Sequence, residues 1–208
     1  MRHHFNKPTL LLSLIFVIGI VTGQEPASFV DPFIGTAKST AKSKWGNYGG
    51  TYPGAVAPWG MVQLTPETSI RLDDNGYYYD DSVIHFFSCV NHKSGFPNGS
   101  SGNLHISFIS NPGSESVEFI PRKIKHADEH AKAGYYNIRF TEGDQVELTA
   151  TQRTGFFRYT PVEGKYMISI KDAGDITHDG KDIIYTSRYN SILHFSHPWE
   201  SFEQKGDK

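Results

Sequence analysis

The chain has 208 residues, 38% hydrophobic, 20% charged and 13% aromatic, with a formal net charge of −2. The aromatic content and near-neutral balance exclude an intrinsically disordered chain and leave no basic footprint for nucleic acid. A single cysteine excludes an internal disulfide framework, and the length suits one domain with short appendages.

Residues 1–23 read as a secretory signal peptide. Arg2 and Lys7 supply a positive n-region, Leu10 to Val21 is apolar except for Ser13 and Gly19, and Val21-Thr22-Gly23 places small residues before Gln24. The apolar run is shorter than the roughly 20 residues a spanning helix needs, so no stable membrane span is expected after cleavage. No cysteine follows it, which leaves a lipid anchor unsupported; an uncleaved N-terminal anchor is the alternative. The expected location is secreted or periplasmic. Cys89 would be the mature chain's only thiol, able to pair only with another molecule.

Residues 24–171 are expected to form an antiparallel β-sandwich, with 172–208 as a divergent tail or a continuation of it. Residues 35–52, rich in Gly, Ser, Thr and Lys, read as a long loop. Strands are predicted at Met61–Thr65, Val83–Phe87, Leu104–Phe108, Val117–Ile120, Tyr136–Phe140, Val146–Ala150, Phe156–Thr160, Tyr166–Ile170 and Ile183–Tyr189. Apolar residues there recur with period two and β-branched and aromatic types are common. Val146, Leu148 and Ala150 alternate with Glu147, Thr149 and Thr151; Leu104, Ile106 and Phe108 alternate with His105, Ser107 and Ile109. His126–Ala133, closed by Gly134, is the one helix-like stretch. Turn signals at Asp73-Asp74-Asn75-Gly76, Asn111-Pro112-Gly113, Glu142-Gly143-Asp144 and Glu163-Gly164 separate the strands at roughly ten-residue spacing, which favours a sandwich or barrel over a βαβ sheet.

Most chemical motifs are missing. There is no HExxH, no zinc-type Cys/His pairing, no GxSxG, no Walker A loop and no dinucleotide fingerprint. Asp73–Gly76 and Asp175–Gly180 resemble parts of calcium loops, but the first has Arg71 where an acid belongs and the second has Thr186 at its twelfth position, so a turn is the preferred reading of both. His85 and His105 are expected on solvated strand faces. Ser100 and Ser101 sit in a flexible loop with no identifiable base, and Asn98-Gly99-Ser100 is an N-glycosylation sequon.

The aromatic loop says more. Trp45, Tyr48, Tyr52 and Trp59 lie close together among glycines. Flat rings in a polar loop suit sugar rings, which stack C–H groups on them while hydroxyls reach polar neighbours; the competing reading is that they cap the sandwich core. Trp45 is expected to be the most exposed and Trp59 the most buried.

Val30-Asp31-Pro32-Phe33-Ile34-Gly35-Thr36, followed by Tyr52-Pro53-Gly54-Ala55-Val56-Ala57-Pro58-Trp59-Gly60-Met61-Val62-Gln63-Leu64-Thr65-Pro66-Glu67-Thr68, resembles the opening of glycoside hydrolase family 92. Gly76-Tyr77-Tyr78-Tyr79 with Phe87-Ser88 and Ser94-Gly95, and His126 to Tyr136 followed by Glu147 to Tyr159, agree in order. The resemblance covers about residues 29–171. It implies a secreted, calcium-dependent exo-α-mannosidase acting on mannose-containing glycans, with an N-terminal β-sandwich ahead of an (α/α)6 catalytic domain. It also implies inversion, with acid and base carboxylates about 6.5–9.5 Å apart, both lying with most calcium ligands in the later domain. Two departures stand out. Ala37 to Lys44 replaces a glycine-rich loop, and Ser88 to Gly95 is one residue longer than the family's segment; the resemblance implies a sugar-facing position there, for which Asn91 and His92 are the candidates despite the shifted spacing.

The expectation is therefore the N-terminal domain of a secreted α-1,2-mannosidase-like enzyme, lacking its catalytic domain and inactive alone. Its substrate-binding candidates are Trp45, Tyr48, Tyr52, Asn91 and His92; no catalytic residue or calcium ligand is placed on this chain. The alternatives are a stand-alone secreted glycan-binding module and a docking subunit for a separately encoded catalytic chain.

Overall fold

The computed structural model describes residues 25–37, 51–68, 76–90, 104–112, 119–171, 175–186 and 190–204. The chain divides into two compact units, Met1–Val30 and Asp31–Lys208. In the first, Pro26–Phe29 forms an exposed 3-10 turn, with Ser28 Oγ donating to the Glu25 carbonyl.

The second unit is built of strands: β1 (Ala55–Val56), β2 (Gln63–Glu67), β3 (Val83–Ile84), β4 (Phe86–Ser88), β5 (His105–Ser110), β6 (Arg122–Lys123), β7 (Glu129–Lys132), β8 (Tyr135–Arg139), β9 (Gln145–Ala150), β10 (Gly155–Thr160), β11 (Tyr166–Lys171), β12 (Asp175–His178), β13 (Asp182–Thr186) and β14 (Ser191–His194). Every pairing is antiparallel. A five-stranded sheet runs β1-β2-β4-β5-β11, a four-stranded sheet β10-β9-β8-β7 and a three-stranded sheet β12-β13-β14; β3 pairs with β6. The described residues contain no α-helix.

Period-two patterning fixes which face of the four-stranded sheet is inward. Tyr136 and Ile138 of β8 and Val146 and Leu148 of β9 are almost fully buried, while Arg139, Thr149, Phe156 and Arg158 face out. Leu64, Phe87, Ile106 and Phe108 of the five-stranded sheet join them in one core. The two sheets meet where Phe157 packs against Phe87 and Phe108, and where the Tyr159 ring stacks on Phe108 at 4.9 Å. Each fully buried aliphatic or aromatic side chain contributes about 1.5–3 kcal/mol.

A buried ion pair closes one edge of this sandwich. Arg122 donates to the Phe108 carbonyl at 2.9 Å and to Asp144 Oδ2 at 2.7 Å, and lies 4.2 Å over the Phe140 ring. Tyr159 donates to the same carboxylate oxygen at 2.7 Å. Burial pushes the Asp144 carboxyl up, but the Arg122 and Tyr159 hydrogen bonds and the Arg122 charge outweigh it, and the net shift is downward.

Several expectations need correction. His126–Ala133 is a 3-10 turn (His126–Asp128) followed by strand β7, because Gly134 at φ +74 turns the chain back into a hairpin with β8. Val83–Phe87 is two strands: β3 pairs with β6 and β4 with β2 and β5, while the His85 N–H between them goes to the Glu67 carbonyl. Phe119 and Ile120 are not in a strand; β6 begins at Arg122. The face of β5 holding His105, Ser107 and Ile109 is covered: Ser107 and Ile109 are buried and His105 stacks on Phe86 at 4.0 Å. His85 is half-buried, and burial lowers its pKa against the opposing charge of Asp81. The preferred reading of Asp175–Gly180 as a turn agrees with the structure: strand β12 ends in a turn where Asp179 Oδ1 accepts the Lys181 and Asp182 N–H groups, with Gly180 at φ +96.

Candidate functional site

The segment from Asp31 to Thr36 folds on itself. Asp31 Oδ1 accepts the Phe33 N–H at 2.9 Å, and the Phe33 carbonyl accepts the Thr36 N–H and hydroxyl at 3.1 and 2.8 Å. Gly35 takes φ +82, where an added Cβ would press on the Thr51 side chain. Thr51 in turn donates to the Ile34 carbonyl at 2.8 Å. The Thr36 carbonyl accepts the Tyr79 N–H at 3.0 Å.

Thr68 sets the strip of three tyrosines. Its N–H bonds the Gly76 carbonyl at 2.7 Å, and its hydroxyl takes the Tyr78 N–H at 2.8 Å. Tyr77 is thereby turned inward and Tyr79 toward the loop Asp31–Thr36, where Phe33 meets the Tyr79 ring edge-on at 6.0 Å.

The inward group is a buried carboxylate with three donors. Glu129, at the start of β7, has no side-chain exposure. Its oxygens accept the Tyr77 hydroxyl at 3.0 Å, the Tyr136 hydroxyl and His126 Nδ1. Burial, then the Glu129 charge, pushes both phenols well above their usual pKa, so both remain protonated donors. The His126 ring stacks on Tyr79 at 4.1 Å and 15°. Outside it opens a cleft of about 360 Å³ lined by Asp31, Phe33, Ile34, Thr36, Tyr79 and His126.

A second buried carboxylate, Glu67, stands at the end of β2. It accepts the Ser88 hydroxyl and lies so close to Gly76, itself at φ +85, that any Cβ there would overlap it. Tyr52 is half-buried, and its phenol is pushed up to about 12, chiefly by burial and then by the Glu67 charge.

Of the residues expected to bind substrate, Tyr52 lies next to Thr51, which braces the cleft loop. Trp45, Tyr48, Asn91 and His92 lie outside the described residues. Trp59 is the reverse of its expectation: it is 96% exposed, because φ +58 in the β1–β2 loop turns its ring outward. Asp31, Tyr77, Tyr79, His126 and Glu129 were not singled out by their chemistry, although His126 and Glu129 stand three apart and follow a run of tyrosines. Among the described residues no group of three or more His, Cys, Asp or Glu side chains is placed to hold a metal.

The segments that build this cleft also carry the likeness to known proteins. A model of the glycosyl hydrolase family 92 N-terminal domain matches residues 29–193. The chain belongs to this family. The match to the family 92 domain takes in β12 and β13 and runs into β14, so it extends past residue 171, where the sequence resemblance ends. Among solved structures, the family GH92 inverting mannosidase BT2199 from Bacteroides thetaiotaomicron superposes with a TM-score of 0.67 at 25% identity, over 83% of this chain and 25% of that one. The GH92 α-mannosidase BT3965 of the same species, in complex with mannoimidazole, gives 0.64 at 25% identity, over 81% and 23%. The GH92 hydrolase ccman5 shares the fold, with a TM-score of 0.58 at 21% identity, over 81% and 24%. The chain thus spans about a quarter of the length of these relatives. Among curated proteins, none matches it.

Proposed function

We propose that this chain is the N-terminal sandwich of a secreted α-1,2-mannosidase-like enzyme and that it does not hydrolyse mannosides by itself. The family match over residues 29–193 carries the reading. The chemistry of the cleft supports its second half. Inversion needs an acid and a base on opposite sides of the scissile bond, with room for a water between them. Among the described residues Asp31 is the one carboxylate lining this cleft, and Glu129 behind it is engaged by three partners. On this reading the catalytic carboxylates and the calcium ligands belong to residues outside this chain, and export follows from the Arg2 to Gly23 segment.

Incubation of the purified chain with α-1,2-mannobiose, in calcium and in chelator, should release no mannose; calcium-dependent release overturns the reading. Expression of the precursor in a bacterial host should give a mature chain beginning at Gln24 outside the cytoplasm, checked by N-terminal sequencing of the exported fraction.

A second reading, docking to a catalytic chain encoded separately, is favoured by the exposure of Ile34, Trp59 and Met61. Large apolar side chains open to water mark a surface that a partner covers where they form one contiguous patch. Size-exclusion chromatography with light scattering tests it: apolar self-association abolished by Trp59→Ser supports a docking face, and a clean monomer counts against it.

A further inference from the structure

We propose that the outer face of the four-stranded sheet β10-β9-β8-β7 is a docking surface for an acidic polysaccharide, a polymer that carries carboxylates along its length. This face is turned away from the core and from Glu129, and its role is independent of the cleft and of any hydrolytic activity.

Strand register builds the face. Alternation sends Tyr136, Ile138, Val146 and Leu148 inward and leaves their neighbours outside. Pairing then sets Asn137 beside Glu147 and Glu147 beside Arg158 in one row, with Lys132 beside Tyr135 in the next. Three permanent cations occupy the outward strand positions, Lys132, Arg139 and Arg158, and all three are exposed. The one carboxylate among those positions is Glu147. Both of its oxygens are engaged, by the Tyr135 hydroxyl at 2.8 Å and by Arg158 at 3.2 Å. The Lys132 ammonium is held over the sheet, 5.4 Å from the centre of the Tyr135 ring. The face is thus net basic on a chain whose formal net charge is −2, and the partner that complements it is an anion.

The same face contains an unmet donor. Asn137 is 7% exposed, and its Nδ2 has no hydrogen-bond partner among the described residues. A buried amide N–H left unpaired lowers stability, so the position gains from any acceptor brought to it. Its outward place in β8 sets that donor among Lys132, Arg139 and the Glu147–Arg158 pair. In the complex, a ligand carboxylate accepts from Asn137 as the long basic side chains around it reorient onto the ligand.

The spread of charge selects a polymer. From β7 to β10 is three strand spacings, about 14 Å, so one small anion cannot meet Lys132 and Arg158 together. A chain with a carboxylate on successive sugar residues meets them in turn. Phe156, 53% exposed beside Arg158 on β10, adds a ring on which sugar C–H groups stack. An acidic peptide would instead add to the sheet at an edge strand, β7 or β10, and leave the row through Asn137 unused.

Calorimetric titration of the purified chain tests this. The probes are polygalacturonate, the same polymer fully methyl-esterified, poly-glutamate, and phosphatidylglycerol vesicles. Polygalacturonate is expected to bind. Methyl esterification, or salt raised to about 0.5 M, should weaken binding about tenfold or more. Lys132→Gln combined with Arg139→Gln should weaken it about tenfold and Phe156→Ser about threefold, both with an unchanged melting temperature. Asn137→Leu should weaken binding while leaving the melting temperature unchanged or raised, because the fold loses only an unpaired donor; a lower melting temperature with full binding would make Asn137 purely structural and overturn its part in the site. Equal binding of the methyl ester, or full binding by the double variant, overturns the basic face as the docking surface. Tighter binding of poly-glutamate or of the vesicles overturns the polysaccharide as its occupant. No binding of polygalacturonate at low salt overturns the proposal outright, and the reading of the chain as a family 92 domain does not depend on that result.

Discussion

Glu129→Gln isolates the charge of the hub with almost no change in volume. Each hydrogen bond to a buried charged group contributes about 1.5–3 kcal/mol, and three donors meet at this carboxylate. Glutamine keeps one acceptor oxygen but points an NH2 at groups that are themselves donors. The Tyr77 and Tyr136 hydroxyls can rotate to accept, and His126 can shift its proton to Nε2, so part of the loss is recovered. A net cost of about 3 kcal/mol remains, equivalent to one to two charged hydrogen bonds. For a chain of this size about 1 kcal/mol moves the melting temperature by about 2–4 °C, which gives a fall of about 6–12 °C. Thermal and urea unfolding followed by circular dichroism measure it, with an unchanged m-value as the check that the unfolding transition is the same. Tyr136→Phe removes one donor and completes a double-mutant cycle. The two changes should cost about 1–2 kcal/mol less together than the sum of their separate effects, because they share one interaction. A shift below 2 °C for Glu129→Gln, or strict additivity with Tyr136→Phe, would refute the claim that the carboxylate organises these groups.

Three further outcomes follow from particular geometries. The folded-state pKa of Asp144 lies below its ordinary 3.8, so its contribution to stability is complete above about pH 4 and is lost as pH falls through the folded value; Asp144→Asn should flatten the acid limb of a melting-temperature profile between about pH 2 and 5, besides lowering it at pH 7 by breaking the pair with Arg122. Gly76→Ala should cost about 3 kcal/mol or more in urea unfolding, since it combines a left-handed backbone with overlap on the Glu67 carboxylate, whereas Gly180→Ala, left-handed but with open space around it, should cost about 1 kcal/mol. Trp59→Gly relieves a left-handed conformation at a ring that is 96% exposed, so the isolated chain should be unchanged or stabilised by up to about 1 kcal/mol; a loss of more than that in the same assay would mean the ring packs on the fold.

What the sequence made legible depends on where each strand's partners lie. β8 and β9 read clearly because one face of their sheet is dry and the other, apart from the buried Asn137, is open or half-open to solvent, so Tyr136, Ile138, Val146 and Leu148 stand out by alternation. β5 and β2 read less clearly because their sheet is covered on both faces, and Ser107, Thr65 and Glu67 are buried although their residue types predict solvent. β7 reads as helix in the sequence because Glu129 to Lys132 has no apolar alternation of its own; its register with β8, Glu129 opposite Ile138, makes it a strand. The exposure of Trp59 was hidden for a different reason. A left-handed φ at a tryptophan belongs to loop closure between β1 and β2, and neither Pro58 nor Gly60 announces it.

The four sequence blocks that first suggested the family are one physical object. Thr51, the residue just before the second block, ties it to the first through the Ile34 carbonyl, and Tyr79 ties the third to the first through the Thr36 carbonyl. Thr68 and Glu67 hold the turn at Gly76, so the second block sets the position of the third. Tyr77 then reaches Glu129 in the fourth, and Glu129 returns to the first by fixing His126 against Tyr79. Residues far apart in the chain therefore share a single buried charge and a single cleft. It follows that a change at Glu67 or Gly76, neither of which lines the cleft, should still reach His126, because the shift of Tyr77 that it causes must be absorbed at Glu129. By contrast, the Asp144 and Arg122 pair closes another part of the sandwich and shares no partner with this loop of contacts, so its loss should lower stability while leaving the imidazole of His126 where it is.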